Sequence, residues 1–233
     1  MDLDRADLQV VVWEADEPEL KAALRRGVDM HLLNAFALAG KDTPDLTDLV
    51  EGTESCTRLK SIMKKERQLA KSFIHGTNYG GGARTMSIAA GVTVAQAERF
   101  QSLYFGKYPG IKRWHARTER QLLSHHYVTN ILGYKRIYFD RVEGLLPEAL
   151  AWQPQSTVAC VINRVWMNIY EQLPEVQVLL QVHDSLAGQF PSHRAAEIAA
   201  KMLAVSSIVL PYQDPLVIPL GIKTSTKSWG DCQ

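Results

Sequence analysis

An acid inside an apolar run needs a reason, and Asp184 sits in one: Leu179-Leu180-Gln181-Val182-His183-Asp184-Ser185-Leu186. Val176, Val178 and Leu180 alternate with outward positions, and an extended pattern resumes from Leu186 to Phe190. His183-Asp184-Ser185 is therefore predicted to form the tip of a tight β-hairpin. A carboxylate on such a turn, joined by a second acid from elsewhere, can line a metal site with oxygen. Asp and Ser are also ordinary turn residues, favoured for their local backbone hydrogen bonds. A second set comprises Arg67, Lys71, His75 and Tyr79, at i, i+4, i+8 and i+12 on one helical face. Two cations, an imidazole and a phenol would offer charge to phosphates and flat rings to a base or sugar. The bland alternative is a solvated charged face with Tyr79 tucked into the core.

The elements that must position these groups are set by punctuation and periodicity. Val10-Val11-Val12-Trp13 has the β-branched content of a strand, although Leu8, Val11, Val12 and Ala15 also keep helical spacing. Asp16 as N-cap, Pro18 and the Gly27 stop predict a helix over 17–26, and Asp29 caps another that carries His31. The stretch 41–53 is a loop, and 54–78 is predicted to be one long helix bearing Arg58, Lys60, Lys64, Lys65, Arg67 and Lys71, ended by Gly80-Gly81-Gly82. Helices over 83–90 and 93–105 come next, the second opened by a Thr93/Gln96 capping box, then a third over 110–125. Two short strands flank Gly133-Tyr134, and a helix over 147–172 is expected to be interrupted near Pro154. A helix over 193–207 and a last strand over 216–222 complete the chain.

The chain has 233 residues, 46% of them hydrophobic, enough to bury a core and too many for a disordered chain. A net charge of +1 hides segregation: acids crowd the first 19 residues and cations crowd 58–71. Cys56, Cys160 and Cys232 have no metal-ligand spacing and suggest no disulfide framework, which fits a reducing, cytoplasmic compartment. No apolar run approaches the roughly 18 residues of a spanning helix, so no membrane partner is expected.

These pieces occur in a telling order. Asp2-Leu3-Asp4-Arg5-Ala6-Asp7-Leu8-Gln9 resembles the Asp-Tyr-Ser-Gln-Ile-Glu-Leu-Arg pattern of family A, DNA polymerase I-like, enzymes, and Gly27-Val28-Asp29-Met30-His31 is similar to the next stretch of that pattern. Arg67-Gln68-Leu69-Ala70-Lys71 through Tyr79-Gly80 looks like that family's fingers helix. Gln181-Val182-His183-Asp184 is similar to its palm hairpin. Tyr104 to Gly110, Gln155-Ser156-Thr157 and Ser228-Trp229 resemble further landmarks, so the resemblance covers essentially the whole chain.

The resemblance implies an α+β fold: an antiparallel palm sheet with flanking helices, a helical fingers insertion, and neither thumb nor exonuclease domain. Residues 1–40 would be a palm segment with the first metal-binding motif, 41–130 the fingers, and 131–233 the palm segment with the His-Asp hairpin. The implied activity is template-directed DNA synthesis, transferring nucleotides from dNTPs to a primer 3′ end with two Mg²⁺ ions. Asp2, Asp184 and the Leu3 carbonyl would hold the metals, with Asp2, Asp184 and Lys71 catalytic. Arg67, Lys71, His75, Tyr79, His31, Asp7 and Arg5 would bind the nucleotide. His183, Gln155, Lys135 and Arg136 would touch primer-template DNA, with Lys112 and Arg113 as further candidates for phosphate contacts.

Departures from the family pattern are Leu3 for Tyr, Asp7 for Glu, Gln9 for Arg, His75 for Phe or Tyr, Ser185 for Glu and Pro147 for a duplex-contacting Arg. With the first metal aspartate at residue 2, no upstream strand can anchor it, and Asp2 is expected to fray. A partner polypeptide supplying thumb and upstream palm is the leading expectation. The alternatives are a truncated fragment and a non-catalytic DNA-binding relic.

Overall fold

The computed structural model describes residues 1–232 and is mostly helical, with small antiparallel sheets. In chain order the elements begin with β1 (Asp2–Leu3), α1 (Ala6–Ala15), α2 (Pro18–Arg25), α3 (Met30–Ala39), α4 (Glu54–Ile62) and α5 (Lys64–Asn78). Then come α6 (Ala83–Ala90), α7 (Val94–Lys107), α8 (Pro109–His125), β2 (Tyr127–Thr129), β3 (Lys135–Ile137) and α9 (Leu146–Gln172). The last are β4 (Gln177–Val182), β5 (Ser185–Gln189), α10 (Ala195–Val205), β6 (Val209–Leu210), β7 (Leu216–Val217) and β8 (Leu220–Gly221). No helix among the described residues is long and apolar enough to cross a membrane.

The chain divides into two compact units. The first joins Met1–Val10, Thr129–Lys135 and the residues from Gln153 onward. Its four-stranded sheet runs in the order β4-β5-β1-β8, so the earliest strand, only two residues long, lies inside the sheet. Asp2 stands opposite Ser185 on one side and Gly221 on the other, and Leu3 opposite Leu220. The Met1 ammonium donates to the Leu186 carbonyl at 2.9 Å, and Leu186 N–H returns a bond to the Met1 carbonyl at 2.9 Å. The expected fraying of Asp2 is thus corrected: strands far downstream in sequence anchor it on both edges.

The second unit holds Val11–Val128 and Arg136–Trp152. Its frame is helical, with α3 packed along α5 and α6 along α7. Phe73, Phe100 and Tyr104 pack in series, Phe73 tilted against Phe100 with centroids 4.8 Å apart and Phe100 stacked on Tyr104, and all three are buried. A separate apolar cluster gathers Leu122, Val128, Tyr138, Val142 and Ala149.

One open reading is resolved and three local expectations change. Val10-Val11-Val12-Trp13 is helical, in α1, and all four side chains are buried, so burial overrides the β preference of a Val run. The long basic helix breaks at Met63, whose backbone (φ −100°, ψ 24°) ends α4 and starts α5. Met63 is 2% exposed, so a tertiary anchor sets the break and no Gly or Pro announces it. In contrast α9 runs unbroken through Pro154, although proline removes one backbone donor. The final strand divides at Ile218-Pro219: β7 pairs with β6, β8 pairs with β1, and Pro219 keeps only an acceptor, which takes the Asp4 N–H at 2.8 Å.

Candidate active site

In the first unit, β4 and β5 meet through His183 and Asp184, with Val182 opposite Ser185. His183 takes a left-handed backbone (φ 54°), and the Ser185 hydroxyl closes the turn onto the Val182 carbonyl at 2.8 Å. Leu3 N–H donates to the Asp184 carbonyl at 3.1 Å, which brings β1 against the hairpin tip. Asp2 and Asp184 are thereby neighbours, with β1 hydrogen-bonded on both sides. Burial first, then the negative charge of Asp184, pushes the Asp2 carboxyl above its ordinary value. Among the described residues no third His, Cys, Asp or Glu joins them in a metal-sized group. Two carboxylates that repel one another are a donor set suited to a hard divalent cation, which would draw its remaining ligands from water and substrate oxygens.

That repulsion has a measurable sign. A divalent cation held by these carboxylates would compete with the proton of Asp2, so its affinity is expected to fall as pH drops through the raised pKa. The loss therefore begins at a higher pH than an ordinary aspartate, at 3.8, would dictate. Calorimetric Mg²⁺ titrations at stepped pH are expected to register this, with proton release on binding. Asp2→Asn should reduce the proton release.

The turn after β1 is locally braced. Arg5 has a left-handed backbone (φ 47°), and its guanidinium pairs with Asp4, Nη2 to Oδ2 at 2.7 Å. The Gln9 amide donates to the Asp4 carbonyl at 2.7 Å, so Gln9, buried in α1, ties the helix back to the turn. Asp7 lies half-buried in the first turn of α1. Gln155 is exposed on α9, and Lys135 is exposed at the start of β3.

In the second unit, α5 presents its stripe as spacing dictates: Lys71 and His75 are exposed, while Arg67 and Tyr79 are half-buried. The His75 and Tyr79 rings meet edge to face at 4.6 Å. Lys71 makes no ion pair among the described residues. Arg67 is engaged: its Nε and Nη2 both reach Asp29 Oδ2 at 2.9 Å. Lys60 Nζ reaches the same oxygen at 3.0 Å and Glu51 at 3.2 Å. Asp29 is 1% exposed and caps α3 through the Leu32 N–H at 2.9 Å, and α3 is the helix that places His31. Burial alone would push the Asp29 carboxyl up. The Leu32 N–H, the Lys60 ammonium and the Arg67 guanidinium together hold it below the usual carboxylate range.

Sequence reasoning found Asp29 as a cap and missed its ion pairs, and it missed Lys60 as a member of the cluster. Arg136, also in this unit, pairs with Glu148 and lies over the Tyr138 ring at 5.4 Å. Lys112 lies over the Phe105 ring at 5.1 Å.

The DNA polymerase family A model matches residues 1–231, and the chain belongs to that family. It is 28% identical to DNA polymerase I of Deinococcus radiodurans over 94% of this chain and 22% of the relative. It is 24% identical to the DNA polymerase of Mycobacterium phage D29 over 99% of this chain and 34% of the relative. In fold it is similar to the POL domain of Pol1 from M. smegmatis, solved in complex with DNA primer-template and dNTP. That match has a TM-score of 0.73 at 18% identity, over 88% of this chain and 35% of the other. The chain thus spans about a fifth to a third of the length of these proteins.

Proposed function

We propose that this chain is the palm and fingers part of a family A DNA polymerase, extending a DNA primer from dNTPs. A second polypeptide would contribute thumb and upstream palm. The observation that carries the reading is the convergence of Asp2 and Asp184, far apart in sequence, where the inner strand β1 meets the tip of the β4–β5 hairpin. In this reading Asp2, Asp184 and the Leu3 carbonyl hold two Mg²⁺ ions. Mg²⁺, when bound, supplies positive charge at the reacting phosphate and makes the primer hydroxyl more acidic.

The protein's own groups do the remaining work. The Lys71 ammonium and the Arg67 guanidinium bind the triphosphate and offset charge as the leaving pyrophosphate forms, with His31 assisting. Tyr79 and His75 give flat surfaces for base and sugar. His183, exposed on its turn, would meet the primer terminus, and Gln155, Lys135 and Arg136 the duplex. Asp7 and Arg5 would border the nucleotide.

Phosphate contacts dominate affinity for DNA, and the cations of this chain are concentrated in 58–71, so a second polypeptide would add contacts along the duplex. A primer-extension assay on an end-labelled primer-template, with Mg²⁺ or EDTA, tests both parts. Weak metal-dependent extension is expected from the 233-residue chain, rising strongly when a polypeptide covering the rest of the family region is added. Robust extension by the chain alone, unaltered by that addition, would refute the partner. DNA binding without extension in every assembly would leave the non-catalytic relic.

A further inference from the structure

We propose that Asp29 is a positioning residue that presets the Arg67 guanidinium for the triphosphate of an incoming nucleotide. The inference rests on α5 being the triphosphate-binding helix. Arg67 docks on Asp29 sideways, with Nε and Nη2 on one oxygen, so the Nη1 amino group takes no part in the pair and keeps its donors for a ligand. The other oxygen, Oδ1, caps the helix that carries His31. One carboxylate therefore fixes both the start of α3 and the guanidinium on α5, two helices packed along each other.

The charge itself is what needs explaining. An asparagine caps a helix about as well as an aspartate, and a buried carboxylate is costly to desolvate unless it is paired. A cap alone would have only a small use for the charge, through the helix dipole. A guanidinium that must already face its ligand has a larger one, because a flexible arginine loses rotamer freedom on binding, and an arginine held beforehand loses less. Lys60, on the same oxygen, completes the neutralisation of a carboxylate that is 1% exposed.

Asp29→Asn separates the two roles: the amide oxygen can still cap Leu32, while its N–H₂ faces the cations where an acceptor was. Titration calorimetry of the 233-residue chain with dGTP and Mg²⁺ supplies the readout, in a double-mutant cycle with Arg67→Ala. Arg67→Ala is expected to weaken binding by roughly tenfold, the scale of a charge-assisted hydrogen bond. Asp29→Asn should weaken it by a comparable factor when Arg67 is present and by little when it is absent. Equal factors in both backgrounds would make Asp29 a packing or capping residue and overturn the inference. No binding by the unaltered chain, or binding indifferent to Arg67→Ala, would overturn the triphosphate-binding role of α5 instead. Should Asp29→Asn fail to fold, Asp29→Ser retains a capping oxygen without charge and serves in the same cycle.

Discussion

Asp184→Asn is expected to lower the rate of primer extension by about a thousandfold in an active assembly, since metal-borne charge stabilisation of phosphoryl transfer amounts to several kcal/mol. The substitution is conservative in every other respect. Asn is at home in a two-residue turn, and the bond from Leu3 N–H goes to the Asp184 backbone carbonyl, which the change leaves untouched. Melting should therefore stay close to that of the unaltered chain, while Mg²⁺ affinity measured by calorimetry falls. Asp2→Asn is expected to produce a loss of the same order. The double variant should be little worse than either alone, because two ligands of one centre act as a unit. Extension within about tenfold of the unaltered rate for Asp184→Asn would remove Asp184 from the metal site.

The second large effect concerns stability and a glycine. Gly110 N–H, at the start of α8, donates to Glu17 Oε2 at 2.7 Å, and Glu17 is 4% exposed. A Cβ at this position would lie 2.6 Å from the Ala15 carbonyl oxygen and 2.7 Å from Glu17 Oε2. Neither atom can yield cheaply, one being backbone and the other the acceptor that satisfies a helix N-terminus. Gly110→Ala is expected to cost about 3 kcal/mol through overpacking and the disturbed hydrogen bond. For a chain of this size that is a fall of roughly 6–12 °C in Tm. Gly106, inside α7, is the matched control: a Cβ there meets nothing within 4 Å, so Gly106→Ala should be neutral or stabilising by about 0.5–1 kcal/mol. Equal losses for the two variants would show that helix propensity, and not the close approach, governs position 110.

Residues read alone disclose the features that sequence neighbours decide. The hairpin at His183-Asp184, the Thr93/Gln96 capping box and the Asp29 cap were all predicted, and each depends on groups within a few positions of one another. The illegible features answer to distant groups. Four β-branched or aromatic residues, Val10 to Trp13, become helix because they are buried. Met63 breaks a helix that its own sequence would continue. Arg67 finds Asp29 across 38 positions. The pairing of β1 with β5 and β8 belongs to the same class, since resemblance and not spacing brought Asp2 to Asp184.

Acid acts on the two aspartate environments in opposite directions. Asp29, held below its ordinary value, contributes stability that is complete at neutral pH and is lost as pH falls through its folded value. Asp2, held above its ordinary value, costs stability as it ionises with rising pH.

The position of β1 also bears on how the molecule is made. Met1 and Leu186 are 185 positions apart, and β8 lies beyond both. Closing so long a loop is entropically costly and slow, and contacts of this separation delay folding. During synthesis on a ribosome, Asp2 emerges long before the strands it joins, and it stays unpaired until β5 and β8 have been translated. The helices of the second unit can pack in the meantime. The pairing that brings Asp2 to Asp184 is thus late to mature, and a nascent chain stalled short of β5 would carry the helix α5 without it.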